Sequence, residues 1–383
     1  MDFKLTDEQE LICDSYRDLM ESENWEHYFH ECDEAHTFPN RWVARVCELG
    51  FDRVLVPEEH GGLGLDEPYV TLMAITEVLG RYGAPIYTLY MHAGYDNPIL
   101  REGTPEQVAM IKDHFGTGSR IWNPACTEPG AGSDVKALTT TYKRENGKVY
   151  INGTKTFITS AMDIKYLLVM CRDADNPDVY SEFFVDMEKP GVSKSPLPKL
   201  GLRMDNLAEV YFDNVEVEES DLFGTEGNGF GRGITDFNIE RWFQAAGCYG
   251  HALCAFEDAA KYAWNRTAHG RPIARFQLST EKFANMATKL KLMRGMLYEA
   301  AWNADQNNGI LSAGDSAMCK YYCARTSFEV IDDAMQIFAG IGVASEHRII
   351  RFWRDVRIER VGGGTDEMTL LTCGKAAIAP YRD

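Results

Sequence analysis

The sequence predicts an α+β protein, mostly helical, in which a small β domain is set between an N-terminal helical domain and a C-terminal helical bundle. Three observations predict it. Apolar residues recur at helical spacing through the first third; from about Ile121 to Val217 short β-rich runs replace them; and after the glycine-rich stretch 227–233 long helical patterns resume. Helices, then strands, then helices is not the alternation of a doubly wound nucleotide fold. The boundaries read from these shifts are 1–120, 121–228 and 229–383. At 383 residues the chain exceeds the roughly 250 to 300 residues that one hydrophobic core can serve, so several packed lobes are expected.

The elements follow in order. Thr6 is placed to cap a helix with Gln9 three residues on, and Leu11, Ile12, Tyr16, Leu19 and Met20 are predicted to share its buried face. The strands read as Val149-Tyr-Ile, Tyr166-Leu-Leu-Val-Met, Ser181-Glu-Phe-Phe-Val and Glu209-Val-Tyr-Phe, separated by Gly, Asn, Asp and Pro. The C-terminal helical patterns are interrupted near 266–275 and 307–312. Arg348, Arg351, Arg354, Arg357 and Arg360 recur every third residue, and each such step turns back by roughly 60° on a helix, so they spiral and make no basic face. Ion pairing at a subunit or domain interface is the expectation for them.

Charge and motifs narrow the function. A formal charge of −19 opposes nucleic-acid binding, which needs clustered cations to displace counterions. No window approaches the ~18 uninterrupted apolar residues of a membrane span, and Met1-Asp-Phe-Lys-Leu-Thr has neither the basic nor the apolar part of a secretory signal. A cytoplasmic location is expected. Ten cysteines without a CxxC pair read as reduced thiols, with no metal site. The glycines at 227, 229, 231 and 233 do not satisfy G-x-G-x-x-G, and no phosphate-binding loop, H-E-x-x-H, G-x-S-x-G or EF-hand spacing occurs.

The most specific segment is Cys126-Thr-Glu-Pro-Gly-Ala-Gly-Ser-Asp134, a small-residue loop whose amides can approach an anion or a flat ring. Followed by Lys155-Thr-Phe-Ile-Thr-Ser160, it resembles the paired FAD motifs of the acyl-CoA dehydrogenase family. The resemblance implies that Thr127 touches the flavin pyrimidine edge, Ser133 faces the thioester ligand, Phe157 stacks where the family often has Trp, and Thr159 bonds flavin N5. Arg266, Gln277 and Gln336-Ile-Phe-Ala-Gly340 are similar to residues that grip FAD from a neighbouring subunit, which implies a homotetramer with shared sites. His269 stands where that family usually has Phe.

The turn Gly362-Gly-Gly-Thr-Asp-Glu367 opens the last helix. By resemblance Thr365 and Glu367 lie close to FAD, Gly363 offers a backbone N–H to the thioester oxygen, and Gly364 contacts substrate. Most family members carry their catalytic Glu at the position matching Gly363. A minority keep the base on an earlier helix, where Phe237-Asn-Ile-Glu-Arg241 puts Glu240 beside Arg241, the match to a CoA-binding Arg. Glu240 is therefore the expected acid or base, and Phe237, Asn238 and Arg241 the expected substrate contacts; a solvated or ion-paired helix glutamate is the plainer alternative. Pro57-Glu-Glu-His-Gly-Gly, Gly201-Leu-Arg-Met-Asp, Met296-Leu-Tyr-Glu-Ala-Ala-Trp and Ala317-Met-Cys-Lys-Tyr resemble, within that family, the bacterial reductases of carnitine metabolism that act on crotonobetainyl-CoA. The start, Met1-Asp-Phe with Asp7-Glu-Gln-Glu-Leu, does too. This implies FAD-dependent reduction, or the reverse dehydrogenation, of a short-chain 2-enoyl-CoA, with electron-transfer flavoprotein as partner. It diverges most at 64–68 and 87–98, where Tyr87, Tyr90 and Tyr95 could face a trimethylammonium group. A dehydrogenase of another acyl-CoA, a non-catalytic FAD- and CoA-binding protein, and an oxygen-using flavin oxidase stay open on the residues alone.

Overall fold

The computed structural model describes residues 4–382, with the side chains at 234–236 left aside; the Met1-Asp-Phe start of the resemblance lies outside them. The N-terminal region folds as helices α1 (Asp7–Glu21), α2 (Trp25–Ala35), α3 (Asn40–Glu48), α4 (Pro68–Arg81), α5 (Asn97–Glu102) and α6 (Pro105–Lys112), with a 3₁₀ stretch at Ile86–His92. The predicted cap of α1 forms: Thr6 Oγ1 accepts from the Gln9 N–H at 3.2 Å and Gln9 Oε1 from the Thr6 N–H at 3.0 Å. The buried face of α1 is the predicted one turned slightly: Tyr16, Leu19 and Met20 are buried and Ile12 half-buried. Gln9, Cys13, Tyr16, Leu19 and Met20 point inward, whereas Leu11 is 69% exposed. The helix turns this way because the Gln9 carboxamide donates to Thr71 and Glu67 on α4 and its capping residue, a polar anchor that apolar periodicity does not register.

Strands β1 (Trp122–Ala125), β2 (Thr141–Glu145), β3 (Lys148–Thr159), β4 (Tyr166–Asp173), β5 (Tyr180–Asp186), β6 (Val192–Pro196) and β7 (Leu207–Val217) form one sheet in the order β1-β4-β2-β3-β7-β6, with β5 also paired to β4. β4 runs parallel to β1 and β2; the remaining pairs are antiparallel. The inward side chains, among them Ile151, Val169, Phe183, Val210 and Val215, make a core separate from that of the helices.

The C-terminal region consists of α7 (Gly229–Asn265), a hairpin of β8 (Thr267–Ala268) and β9 (Arg271–Pro272), α8 (Gln277–Gln306), α9 (Ala313–Phe338), α10 (Arg348–Glu359) and α11 (Asp366–Ile378). The hairpin and the 307–312 loop are the two predicted interruptions. α4 crosses α7 glycine to glycine. A Cβ on Gly80 would lie 2.5 Å from Gly250 Cα, so the backbones meet with no side chain between them. Four of the spiralling arginines are ion-paired: Arg348 and Arg351 with Glu26 and Arg354 with Asp33 across lobes, Arg348 also with Asp258 on α7, and Arg360 with Asp366 on α11. Two of these partners stand on α2, so the spiral ties the first and last lobes together.

Candidate active site

The two motif segments meet in space. The Thr156 N–H donates to the Thr127 carbonyl at 2.9 Å, and the Asn123 amide to the Thr159 carbonyl at 2.5 Å. Between Lys155 and Ile158 the pairing of β3 with β7 slips, and Phe157 takes φ +56°. This bulge turns the ring out of the sheet, where it is 63% exposed. Beneath it Lys155 and Glu128 form a fully buried ion pair at 2.9 Å. Lys155 also donates to the Cys126 carbonyl, and Glu128 accepts from Thr139 and Thr140. Burial raises the Glu128 pKa, but Lys155 and these donors outweigh it and hold the carboxyl at about 2. The loop at 127–134 is thus fixed from below while Gly130 and Gly132 face open space, with nothing within 4 Å of a Cβ built on either. Ser133 is exposed on the same loop.

The second cluster lies on α7. Tyr95 Oη donates to Glu240 Oε2 at 2.5 Å, and Gln244 Nε2, one turn on, to Oε1 at 3.3 Å. Burial pushes the Glu240 pKa up to about 7, against the lowering effect of Arg241 and Lys320. Opposite stands the glycine turn. Gly363 has φ +63°, and a Cβ built on it would lie 3.2 Å from Glu240 Oε1 and 2.6 Å from Gln244 Oε1. The two positions that the sequence offers for one carboxylate therefore open onto the same space. Arg241 Nε donates to the Gly363 carbonyl at 2.8 Å and Lys320 to the Gly364 carbonyl. The N–H groups of Gly363 and Gly364 have no acceptor among the described residues. Phe237 lies under the Arg241 guanidinium at 5.7 Å, and Asn238 is held by Leu311 and Ser316.

The remaining candidates fall elsewhere. Thr365 caps α11, its hydroxyl accepting from the Met368 N–H at 3.4 Å, and Glu367 is exposed in that helix's first turn. Arg266, Gln277, Gln336 and Gly340 are all exposed. Arg266 and Gly340 share one end of the bundle, since Tyr262 packs on Phe338 at 5.0 Å. No hydrogen bond or ion pair among the described residues joins these four to the Phe157 bulge within one chain. Sequence reasoning missed Gln244, Lys320 and the Lys155–Glu128 pair as parts of the site. The i, i+4 spacing of Glu240 and Gln244 was the available signal.

Three family models match in succession: the N-terminal domain of acyl-CoA dehydrogenases over residues 6–111, the middle domain over 124–215 and the C-terminal domain over 227–378. Among solved structures, the chain is similar to the glutaryl-coenzyme A dehydrogenase glutaryl-CoA complex, with 28% identity over 99% of this chain and 97% of that one and a TM-score of 0.92. Butyryl-CoA dehydrogenase from Megasphaera elsdenii matches at 27% identity, 99% and 100% coverage and a TM-score of 0.90. A chain from work on the electron transferring flavoprotein of Acidaminococcus fermentans matches at 29% identity over all of both chains, with a TM-score of 0.89.

Proposed function

The chain belongs to the acyl-CoA dehydrogenase family, and from that premise we propose that it is an FAD enzyme that reduces the α,β double bond of a short-chain 2-enoyl-CoA, or forms it in reverse, with Glu240 as the acid or base. The residues present fit the cofactor: an outward Phe157 ring held by a strand bulge and a small-residue loop facing open space are what a flat ring system and its phosphates require. FAD, when bound, supplies the hydride exchange at the β-carbon.

The protein's own part is proton transfer and charge stabilisation. Tyr95 and Gln244 fix the two oxygens of Glu240, so one carboxyl face is presented to the α-carbon. A pKa near 7 suits a group that donates a proton in one direction and accepts it in the other. The free N–H groups of Gly363 and Gly364, with their carbonyls taken by Arg241 and Lys320, are fit to receive a thioester oxygen as it gains charge. Arg241, beside Phe237 and Asn238, supports binding of the CoA thioester. The observation that carries the reading is the approach of the Glu240 carboxylate to the face of Gly363. In that geometry the missing glutamate has a substitute.

Reduction of crotonobetainyl-CoA to γ-butyrobetainyl-CoA, in carnitine metabolism, is supported by the sequence resemblance and by Tyr87 and Tyr90 lining a cavity beside Gln244. A homotetramer is supported by the exposed Arg266, Gln277, Gln336 and Gly340 and by exposed Leu278, Leu292, Trp302, Leu370 and Leu371 on α8 and α11. Electron-transfer flavoprotein as partner is supported by the Acidaminococcus fermentans match. No helix among the described residues is long and apolar enough to cross a membrane, which accords with a cytoplasmic location. Anaerobic titration with a saturated short-chain acyl-CoA is the test: bleaching of the flavin in the wild type, and its loss in Glu240→Gln, is expected. No bleaching by any short-chain thioester overturns the reading.

A further inference from the structure

Away from the flavin and thioester residues, three segments of the N-terminal lobe converge: the last turn of α3, a 3₁₀ turn at Phe51–Arg53, and the end of the 3₁₀ stretch Ile86–His92. They bring Cys47, Asp52 and His92 together. One ligand atom of each, a thiol sulfur, a carboxylate oxygen and an imidazole nitrogen, lies within 4.8 Å of the others. All three residues are buried: Cys47 completely, Asp52 at 4% exposure and His92 at 6%. Polar side chains placed so far from water cost free energy unless a partner answers them.

Two of the three are unanswered. Among the described residues nothing hydrogen-bonds Asp52 Oδ1 or His92 Nε2, both of them buried. The other carboxylate oxygen is fixed, since Oδ2 accepts from the Gly116 N–H at 2.6 Å. Arg53 Nε stands 3.8 Å from Oδ1, too far for a hydrogen bond. Arg120, a second cation nearby, is taken by Asp205 at 2.6 Å. Asp52 and His92 also line a void of about 20 Å³ that Asp96 shares, which is room for one water. Asp96 itself accepts from Trp122 Nε1 at 2.8 Å.

We propose that Cys47, Asp52 and His92 bind one divalent metal ion of the zinc class, with a water in the adjoining void as the fourth ligand. Sulfur, nitrogen and oxygen donors together select a borderline ion over magnesium or calcium, which take oxygen alone. Zinc accepts four such ligands in a tetrahedral array. Charge agrees as well: a thiolate and a carboxylate cancel the two charges of the ion, so the buried site carries none. Binding releases the Cys47 proton to solvent and moves no electron. The ligands come from three separate segments with no CxxC pair, which is why cysteine spacing predicts no metal site here. A void for one water has no place for a substrate, so the role of the ion is structural. It pins the end of the 3₁₀ stretch just before Tyr95, whose hydroxyl holds Glu240.

The test uses the full chain with FAD, washed with EDTA and then dialysed against zinc. It reads metal and not turnover, so its outcome is independent of the assignment of Glu240. The wild type is expected to retain about one zinc per chain, with one sulfur at about 2.3 Å and nitrogen or oxygen neighbours at about 2.0–2.2 Å in zinc-edge X-ray absorption. Cys47→Ser should lose the sulfur neighbour, and both it and His92→Ala should bind zinc at least about tenfold more weakly. Zinc should raise the melting temperature of the wild type and leave that of Cys47→Ser unmoved. A wild type that retains no zinc, or holds it without a sulfur neighbour, overturns the proposal. So does equal affinity in the two variants, which would place the ion elsewhere on the surface. Should those variants fail to fold, Asp52→Asn, of unchanged shape, decides in their place: wild-type affinity in it overturns the proposal and weakened affinity upholds it.

Discussion

A carboxyl poised near pH 7 at Glu240 follows from two opposed influences of known sign, burial raising its pKa and Arg241 with Lys320 lowering it. Burial wins, and this has a directional consequence. Reduction needs the protonated acid, so kcat/KM for the enoyl thioester should fall as pH rises through about 7; dehydrogenation needs the carboxylate and should rise over the same interval. Parallel pH profiles in both directions would show that another group titrates. Glu240→Gln keeps the shape and the Gln244 contact but can neither give nor take the proton. It should retain FAD and bind ligand while losing at least about a hundredfold in kcat, the lower end of what a positioned acid or base contributes. Near-normal turnover, or wild-type washing of solvent deuterium into the α-carbon, would disprove the role. Much of this centre could be read in advance because Glu240 with Arg241 and Gly363 with Gly364 sit in short contiguous motifs. Tyr95 could not be read as Glu240's partner, since 145 residues separate them and only packing brings them together.

The bulge at Phe157 and the loop at 127–134 act as one element because the Lys155–Glu128 pair joins them where no water reaches. Removing one member leaves the other as an unpaired buried charge, which typically costs 3–5 kcal/mol. Lys155→Met should therefore lower the unfolding free energy of the β domain by about 3–5 kcal/mol in a denaturant titration and loosen FAD at the same time. A stable variant that still holds FAD would mean that the loop is fixed by its backbone contacts alone. Strand periodicity predicted the sheet well, because the inward residues of β3, β4, β5 and β7 are apolar and alternate or run together as buried strands do. It could not predict the bulge. Phe157 and Ser160 both take positive φ, and nothing in a Phe-Ile-Thr-Ser run announces a left-handed residue. The one misplaced residue of the α1 face has the same origin: Leu11 is exposed and Cys13, two residues on, is buried, because a glutamine reaching α4 sets the rotation of the helix.

At the scale of the whole molecule, the candidate FAD residues are split. Thr127, Phe157 and Thr159 belong to the sheet, whereas Arg266, Gln277, Gln336 and Gly340 lie exposed at the C-terminal bundle, and no contact described within one chain unites the two sets. If a neighbouring subunit supplies the second set, loss of FAD in Arg266→Ala should reflect a missing cation at the partner's pyrophosphate, where charge-assisted bonds are roughly twice as strong as neutral ones. A mixing experiment separates this from a general weakening. Phe157→Ala and Arg266→Ala chains, each expected to lose FAD alone, are co-expressed in equal amounts and the whole population of assemblies is purified. In a pair built from one chain of each kind, one site carries both defects and the other carries neither. With random pairing half the pairs are mixed and one of their two sites is intact, so about a quarter of all sites should hold FAD and bleach with substrate, as the self-complementary geometry of a two-fold interface requires. Sites built within single chains would show no such recovery at any mixing ratio, because each chain would keep its own defect; that result would move Arg266 out of the cofactor site and leave the exposed apolar face of α8 and α11 as the only ground for an oligomer.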